Sequence, residues 1–304
     1  MVIVGSIAYD TVESPMGKSE SALGGSAIYA GIASQFHAKR HEINSVGLVG
    51  VVGNDFLEED RVLLENLGLE LSGLEIAEGK TFRWEGSYHG DMGEAKTHDT
   101  QLNVFGTFEP KVPHFERTPK VLFCANLIPI LQSKILDQVE ATRLTMLDSM
   151  NLWINTARDE LLEVMKRVDL IIINDSEVKL LANDDNFIRA SKRLVHMTQC
   201  HTLIVKRGEF GVIAFHGDEI ISLPAYPTEK VVDPTGCGDS FAGTLAAYLA
   251  NGNGLVSRIE LREALISATV TSSFTLESFG TERLLQIGIE EFNERLEEYC
   301  SILA

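Results

Sequence analysis

A doubly wound α/β fold built on a mainly parallel sheet is predicted by three features of this 304-residue chain. Short apolar runs alternate with segments of helical periodicity from about Pro119 onward, glycine-bearing turns punctuate them, and no linker or repeat divides the sequence. The runs KVLFCANL (120–127), RLTMLDSM (143–150), VDLIIIND (168–175) and TLIVKRG (202–208) read as buried strands. Between them SKILDQVEAT, ARDELLEVMKRV and FIRASKRLVHMT carry apolar residues at helical spacing. Such alternation makes βαβ units, whose crossovers impose a parallel sheet covered on both faces.

The remaining elements follow from local pattern. MVIVGSIAYD reaches Asp10 without a basic leader and reads as a first strand rather than a signal peptide. Residues 79–108 change period: Phe82, Trp84 and Tyr88 fall on one side of an extended segment, and Thr81, Arg83, Glu85 and Ser87 on the other. GSYHGDMGEAK then supplies a turn before the extended piece TQLNVFGTF, so a small antiparallel sheet is expected, inserted into the α/β body. Its aromatic face suits packing on the core or on another subunit as well as it suits covering a ligand.

Bulk properties narrow the function. A net charge of −18 excludes general nucleic-acid binding, which depends on neutralising phosphates, but leaves a locally positive nucleotide pocket open. No run approaches the roughly 20 apolar residues of a membrane span, so a cytoplasmic protein is expected. Cys124, Cys200, Cys237 and Cys300 form no C-x-x-C pair and read as reduced thiols. His37 and His41 have helical i, i+4 spacing, yet lie among Lys39, Arg40 and Glu42 and read as a solvated helix end rather than a metal site.

The chemistry concentrates in VVDPTGCGDSFAG (231–243). Gly236 and Gly238 allow close backbone approach to a ligand, and a helix read from Ser240 to about Asn251 begins directly after them. Free N–H groups and the positive dipole end therefore converge where an anion would sit. Asp239 places a carboxylate at that same spot. Helix capping accounts for Asp239 alone and leaves Asp233, Thr235 and the second glycine without a purpose.

Four further segments carry weaker signals. NDSE (174–177) after a strand is a capping box, with Asn174 at the N-cap and Glu177 three residues on. KRGEFG (206–211) is a two-glycine turn. LGGSAIYAGIAS (23–34) sets Gly24 and Gly25 before a small-residue helix. In MLDSMNLW (146–153), Asp148 and Asn151 stand at a strand's carboxyl end, where they could reach phosphate or metal, although turn roles account for them better.

Taken together these segments resemble the ribokinase family, the PfkB carbohydrate kinases, whose signature D-T-x-G-A-G-D is matched with Pro234 and Cys237 as departures. The likeness runs from GSIAYD to ESFGTE. It implies a ribokinase-like fold, one domain over 1–304 with a β lid from about 8–22 and 78–110, and ATP-dependent phosphorylation of a hydroxyl with Mg2+. By this resemblance Asp239 is the base, and Gly236, Cys237 and Gly238 offer N–H groups to the phosphoryl. Asp233 and Thr235 match positions that hold potassium (K+) in many members. The N-x-x-E motif puts Asn174 and Glu177 at the nucleotide, Glu177 organising the waters of magnesium, and Lys206, Gly208 and Gly211 form the turn beside it. On the acceptor side the resemblance implies Asp10, Gly24, Gly25 and Asn54, with Tyr29 where the family has Asn. Ser26 stands where phosphosugar kinases carry lysine.

The acceptor expected is an unphosphorylated sugar; a nucleoside is the alternative, with Tyr9, Tyr29, Phe82 and Trp84 available to stack a base. A nucleotide sensor that keeps the fold and a dinucleotide oxidoreductase are the rivals, and a homodimer through the lid is a further expectation.

Overall fold

The computed structural model describes residues 1–304 except Glu42, Asp91 and Glu94. The predicted turn GSYHGDMGEAK includes the last two, which lie outside the described residues. Among the described residues thirteen strands form two sheets. In chain order they are β1 (Val2–Val4), β2 (Ala8–Ser14), β3 (Gly17–Gly24), β4 (Val46–Gly53), β5 (Leu69–Ala77), β6 (Phe82–Ser87), β7 (Lys96–Gln101), β8 (Val121–Cys124), β9 (Leu144–Asp148), β10 (Leu170–Asn174), β11 (Thr202–Lys206), β12 (Val212–His216) and β13 (Glu219–Leu223).

The large sheet has the order β13-β12-β11-β10-β9-β8-β1-β4-β5. All neighbours from β11 to β5 are parallel, and the two outer strands β12 and β13 are added as antiparallel hairpins. Both faces are covered, as the uninterrupted apolar runs require. Ile3, Phe123, Met146, Ile172 and Ile204 enter one core with the helices Ser26–Arg40, Cys237–Asn251 and Arg258–Thr275. Their strand neighbours Val2, Val4, Leu122 and Cys124 enter a second core, and Leu147, Ile171 and Val205 a third, on the opposite face. The period-two alternation of side chains thus divides each strand between two helical layers. Sequence runs in opposite directions on either side of β1, which makes the carboxyl ends of β1, β8 and β9 the place where a ligand crevice opens in such sheets.

The small sheet has the order β3-β2-β6-β7. Its outer pairs are antiparallel and the central pair β2–β6 runs parallel. Ala8, Asp10 and Val12 of β2 lie toward the body, opposite Phe82, Trp84 and Gly86 of β6. Tyr9 and Arg83 share the other face, with the Arg83 guanidinium 5.3 Å from the Tyr9 ring centre. Lys96–Gln101 is exposed along its whole length.

Predicted elements mostly keep their places. FIRASKRLVHMT is the helix Phe187–Thr198, and Arg158–Met165 lies within ARDELLEVMKRV. SKILDQVEAT is displaced: its helix is Pro129–Leu136, started by a proline at the first turn. His37 corrects the expectation of a solvated helix end. It is wholly buried and its Nε2 lies 2.8 Å from Thr271 Oγ1, because the helix Ser26–Arg40 is sandwiched by neighbouring helices rather than lying on the surface. Among the described residues no cluster of His, Cys, Asp or Glu has the arrangement of a metal site, and no helix is long and apolar enough to cross a membrane.

Candidate active site

The loop before the helix Cys237–Asn251 is shaped by one backbone conformation. Gly236 takes φ 76°, in the left-handed region, and a Cβ there would lie 2.2 Å from the Tyr29 ring, so only glycine fits. The helix starts at Cys237, three residues earlier than the sequence suggests. Gly243 lets it pack against Ala30, with no room for a Cβ. This packing fixes the helix start relative to the rest of the site.

At that start the N–H groups divide unequally. Cys237 N–H donates to Pro234 O at 3.1 Å, so it is already engaged, contrary to the expectation that it would face a phosphoryl group. Gly236, Gly238 and Asp239 N–H have no acceptor among the described residues. Three donors at a helix N-terminus make an anion site. Asp239 is half-buried within it, and its carboxyl is pushed up to about 7, first by burial and then by the nearby Asp148, with Lys206 pulling the other way. A carboxyl poised near neutral is suited to accept a proton from a hydroxyl.

Asp233 is buried and fully engaged. Oδ1 accepts from Thr235 N at 2.8 Å and Oδ2 from Gly280 N at 3.3 Å, which ties the loop to the ESFGTE segment. Burial raises its carboxyl despite these bonds. Thr235 Oγ1 donates to Tyr88 Oη at 3.2 Å, so the small sheet reaches the loop directly.

On the acceptor side Asp10 projects from β2, buried against Gly24, whose hydrogen leaves space that a Cβ would fill. Its carboxyl is raised to about 7, by burial and then by Asp233 and Asp239, with the Gly25 N–H opposing. Asp10 and Asp239 are therefore electrostatic neighbours. Asn54 is exposed at the end of β4, its N–H donating to Gly79 O at 3.0 Å, while Asp55 is taken up by Thr81 and Arg83. Ser26 is buried on Ser6.

Tyr29 departs from the expected acceptor contact. It is 1% exposed, its ring lies under Gly236, and its hydroxyl is buried without a partner. The sequence places it on the helix after the two glycines, but only the fold shows that the loop wraps over it. Of the four aromatic residues expected to stack a base, Tyr9 donates to Asp60 at 2.6 Å on the far face, and Phe82 stacks on Phe105 with ring centres 5.3 Å apart. Trp84 shares the Asp10 face with Phe82 and, unlike it, is not stacked on another ring among the described residues. Its ring lies over Gly86, where a Cβ would meet it at 2.4 Å, and Nε1 donates to Thr97 Oγ1 at 3.3 Å.

The nucleotide-side residues occupy adjacent strand ends. Asn174 ends β10 and forms the predicted capping box: its Oδ1 accepts from Glu177 N at 2.8 Å, and Glu177 Oε2 accepts from Asn174 N at 2.7 Å. Lys206 ends β11, followed by the turn in which Gly208 takes φ 54° and Gly211 φ 83°. A Cβ on Gly211 would meet Leu223 O at 2.1 Å. Asp148 ends β9, buried, its Oδ1 accepting from Ser149 N at 2.8 Å and its Oδ2 from Lys206 Nζ at 2.9 Å. Asp148, read from sequence as a turn residue that could reach phosphate or metal, is the last residue of β9 and pairs with a lysine 58 residues on.

Free donors at a helix start with a near-neutral carboxyl among them form an arrangement suited to phosphoryl transfer. Comparison with known proteins agrees. The family model of pfkB family carbohydrate kinases matches residues 133–287. The cytidine kinase of Thermococcus kodakarensis is 30% identical over 268 residues, covering 86% of this chain and 92% of that protein. The chain belongs to the pfkB carbohydrate kinase family, and it is a ribokinase-family sugar or nucleoside kinase. The fold matches that of the Burkholderia thailandensis nucleoside kinase in complex with inosine, with TM-score 0.77, 18% identity and 99% and 98% coverage. It also matches a putative ribokinase II from E. coli in complex with ATP and Mg2+, with TM-score 0.78, 18% identity and 98% coverage of each chain.

Proposed function

We propose that the protein transfers the γ-phosphoryl group of ATP to a hydroxyl of a ribose-bearing acceptor, with Asp239 as the base. The observation that carries this reading is the placement of the Asp239 carboxylate among the unpaired N–H groups of Gly236, Gly238 and Asp239 itself. A carboxylate held where a phosphate binds is costly unless it has a proton to collect there. Asp10 receives acceptor hydroxyls. The nucleotide lies over Lys206, Gly208 and Gly211. Mg2+, as in the E. coli relative, fits the carboxylate chemistry at Glu177, whose waters it would share, and it supplies charge neutralisation for the phosphates.

A nucleoside is favoured over a free sugar by Trp84. Partners across adjacent strands share a face, so the register Asp10–Trp84 sets the two residues on one face of the small sheet, the indole lying over Gly86 toward β7. Gly86 leaves room for the ring, which is half-buried and on which a base would stack. The 30% identity to a cytidine kinase supports the same choice. A free sugar, the first expectation from sequence, would leave that surface uncovered. Lid strands Ala8–Ser14, Gly17–Gly24, Phe82–Ser87 and Lys96–Gln101 close the acceptor side, and the exposed edge at Lys96–Gln101 is where a second copy would add. The buried Asp233 and the neighbouring Thr235 are where a K+ ion would be sought, beside the loop they anchor.

The test is ADP release with Mg2+ and ATP against a panel of nucleosides and free pentoses and hexoses. Nucleosides are expected to turn over, with Trp84→Ala raising the KM for nucleosides about 5- to 100-fold, the range of one base stacked on an aromatic ring. Turnover of free sugars alone, unaffected by Trp84→Ala, overturns the acceptor. No phosphorylated product from any member of the panel overturns the kinase.

A further inference from the structure

Lys206 is not where a nucleotide-turn residue alone would need to be. Its ammonium pairs with Asp148 Oδ2 at 2.9 Å and lies 2.9 Å from the point a Cβ on Gly238 would occupy. It therefore rests against a glycine of the anion site, one strand end across from Asn174 and two from Asp148. Burial opposes its charge, but Asp148, Glu177 and Asp239 together hold the ammonium above its usual value, so it stays charged at any working pH. Three carboxylates surround one cation, and the site has a surplus of negative charge before any phosphate enters.

We propose that Lys206 is the built-in cation of the transfer step, its ammonium passing from Asp148 to the phosphoryl group seated at Gly238. The inference rests on the kinase reading above. In that step the bond from the γ-phosphorus to the bridging oxygen of the nucleotide breaks and a bond to the acceptor oxygen forms. The hydroxyl proton goes to Asp239, ADP leaves with the electron pair, and Lys206 keeps its proton throughout. Lysine suits the role as a compact charge on a flexible stem, able to follow a moving group by rotating about its own side chain. Its second effect is on Asp239, whose carboxylate it keeps available as a base.

The experiment compares Lys206→Met and Lys206→Arg with the parent enzyme across pH, using whichever acceptor the parent phosphorylates. Lys206→Met is expected to lower kcat about 100-fold, the size seen when one preorganised donor is lost, with the acceptor KM within about threefold. The acid limb of kcat/KM should also move up by about one pH unit, as expected when a cation beside a carboxylate is removed. Lys206→Arg should restore at least about tenfold of the kcat, as a charge kept in place would, and return the limb toward its original position. Should Lys206→Met fail to fold, Lys206→Gln can still donate to Asp148 without carrying charge and takes its place. A kcat and pH limb both unchanged in a folded variant overturn the role of Lys206, as does a loss that Lys206→Arg leaves unrepaired. A parent that phosphorylates nothing instead overturns the kinase reading, and the two failures are thereby told apart.

Discussion

Replacing Asp239 by asparagine separates the chemistry of the site from its cost to the fold. The carboxyl is raised from an ordinary 3.8 to about 7. At about 1.36 kcal/mol per pH unit this corresponds to an upper bound of about 4 kcal/mol, and partial solvent access reduces it to about 2 kcal/mol. The sign follows from the direction of the shift. A carboxyl whose folded value lies above its unfolded one favours the fold when protonated. The cost is absent below about pH 4, grows as pH rises toward 7, and is constant above. The asparagine amide carries no charge at any pH. Asp239→Asn should therefore raise Tm by about 4 °C at pH 8, using about 2 °C per kcal/mol for a chain of this size, and by almost nothing at about pH 4. Turnover at pH 8 should fall by at least about 1,000-fold, while ATP still binds. Differential scanning fluorimetry at the two pH values and a coupled ADP assay read both effects. A variant that keeps turnover, or gains no stability at pH 8, refutes the assignment of a strained base.

Four further outcomes test the geometry. In the parent enzyme kcat/KM should fall about tenfold per pH unit below pH 7, because Asp239 must be ionised to accept a proton; a profile flat to pH 5 counts against it. Tyr29→Phe removes a buried hydroxyl that has no partner, so urea unfolding should show it neutral or up to about 1 kcal/mol more stable, with kcat/KM little changed. Gly236→Ala forces a Cβ into the Tyr29 ring from a left-handed backbone, and both Tm and turnover should fall sharply. Glu177→Gln keeps the capping box and hence Tm within about 1 °C, while the Mg2+ concentration needed for half-maximal rate rises.

What is legible in the sequence is periodic or local. The alternating strands and helices, the capping box of Asn174 and Glu177, and the glycines of KRGEFG are each set by neighbours within a few residues. The helix start is misplaced because Gly236, Cys237 and Gly238 have low helical preference. Packing of Cys237–Asn251 on Ser26–Arg40 overrides it. Tyr29 and His37 escape sequence reasoning for a related cause: a position on a helix does not say which distant segment will cover it. Asp148 and Lys206 sit 58 residues apart and meet only because β9 and β11 flank β10. Trp84 is one of four aromatics until the stacking of Phe82 on Phe105, the burial of Tyr29 and the Tyr9–Asp60 bond set the others aside.

The hydrogen bond from Thr235 to Tyr88 is the one side-chain bond described between the small sheet and the transfer loop. A bond of this kind contributes on the order of 1 kcal/mol, little more than thermal energy. Between the end of β6 and the loop the hydrogen bonding is thus light, and helix packing carries the rest of the join. An acceptor that spans Asp10 and Asp239, as proposed above, would bridge the same gap with contacts of its own. The substrate would then add to the rigidity with which the two sides meet.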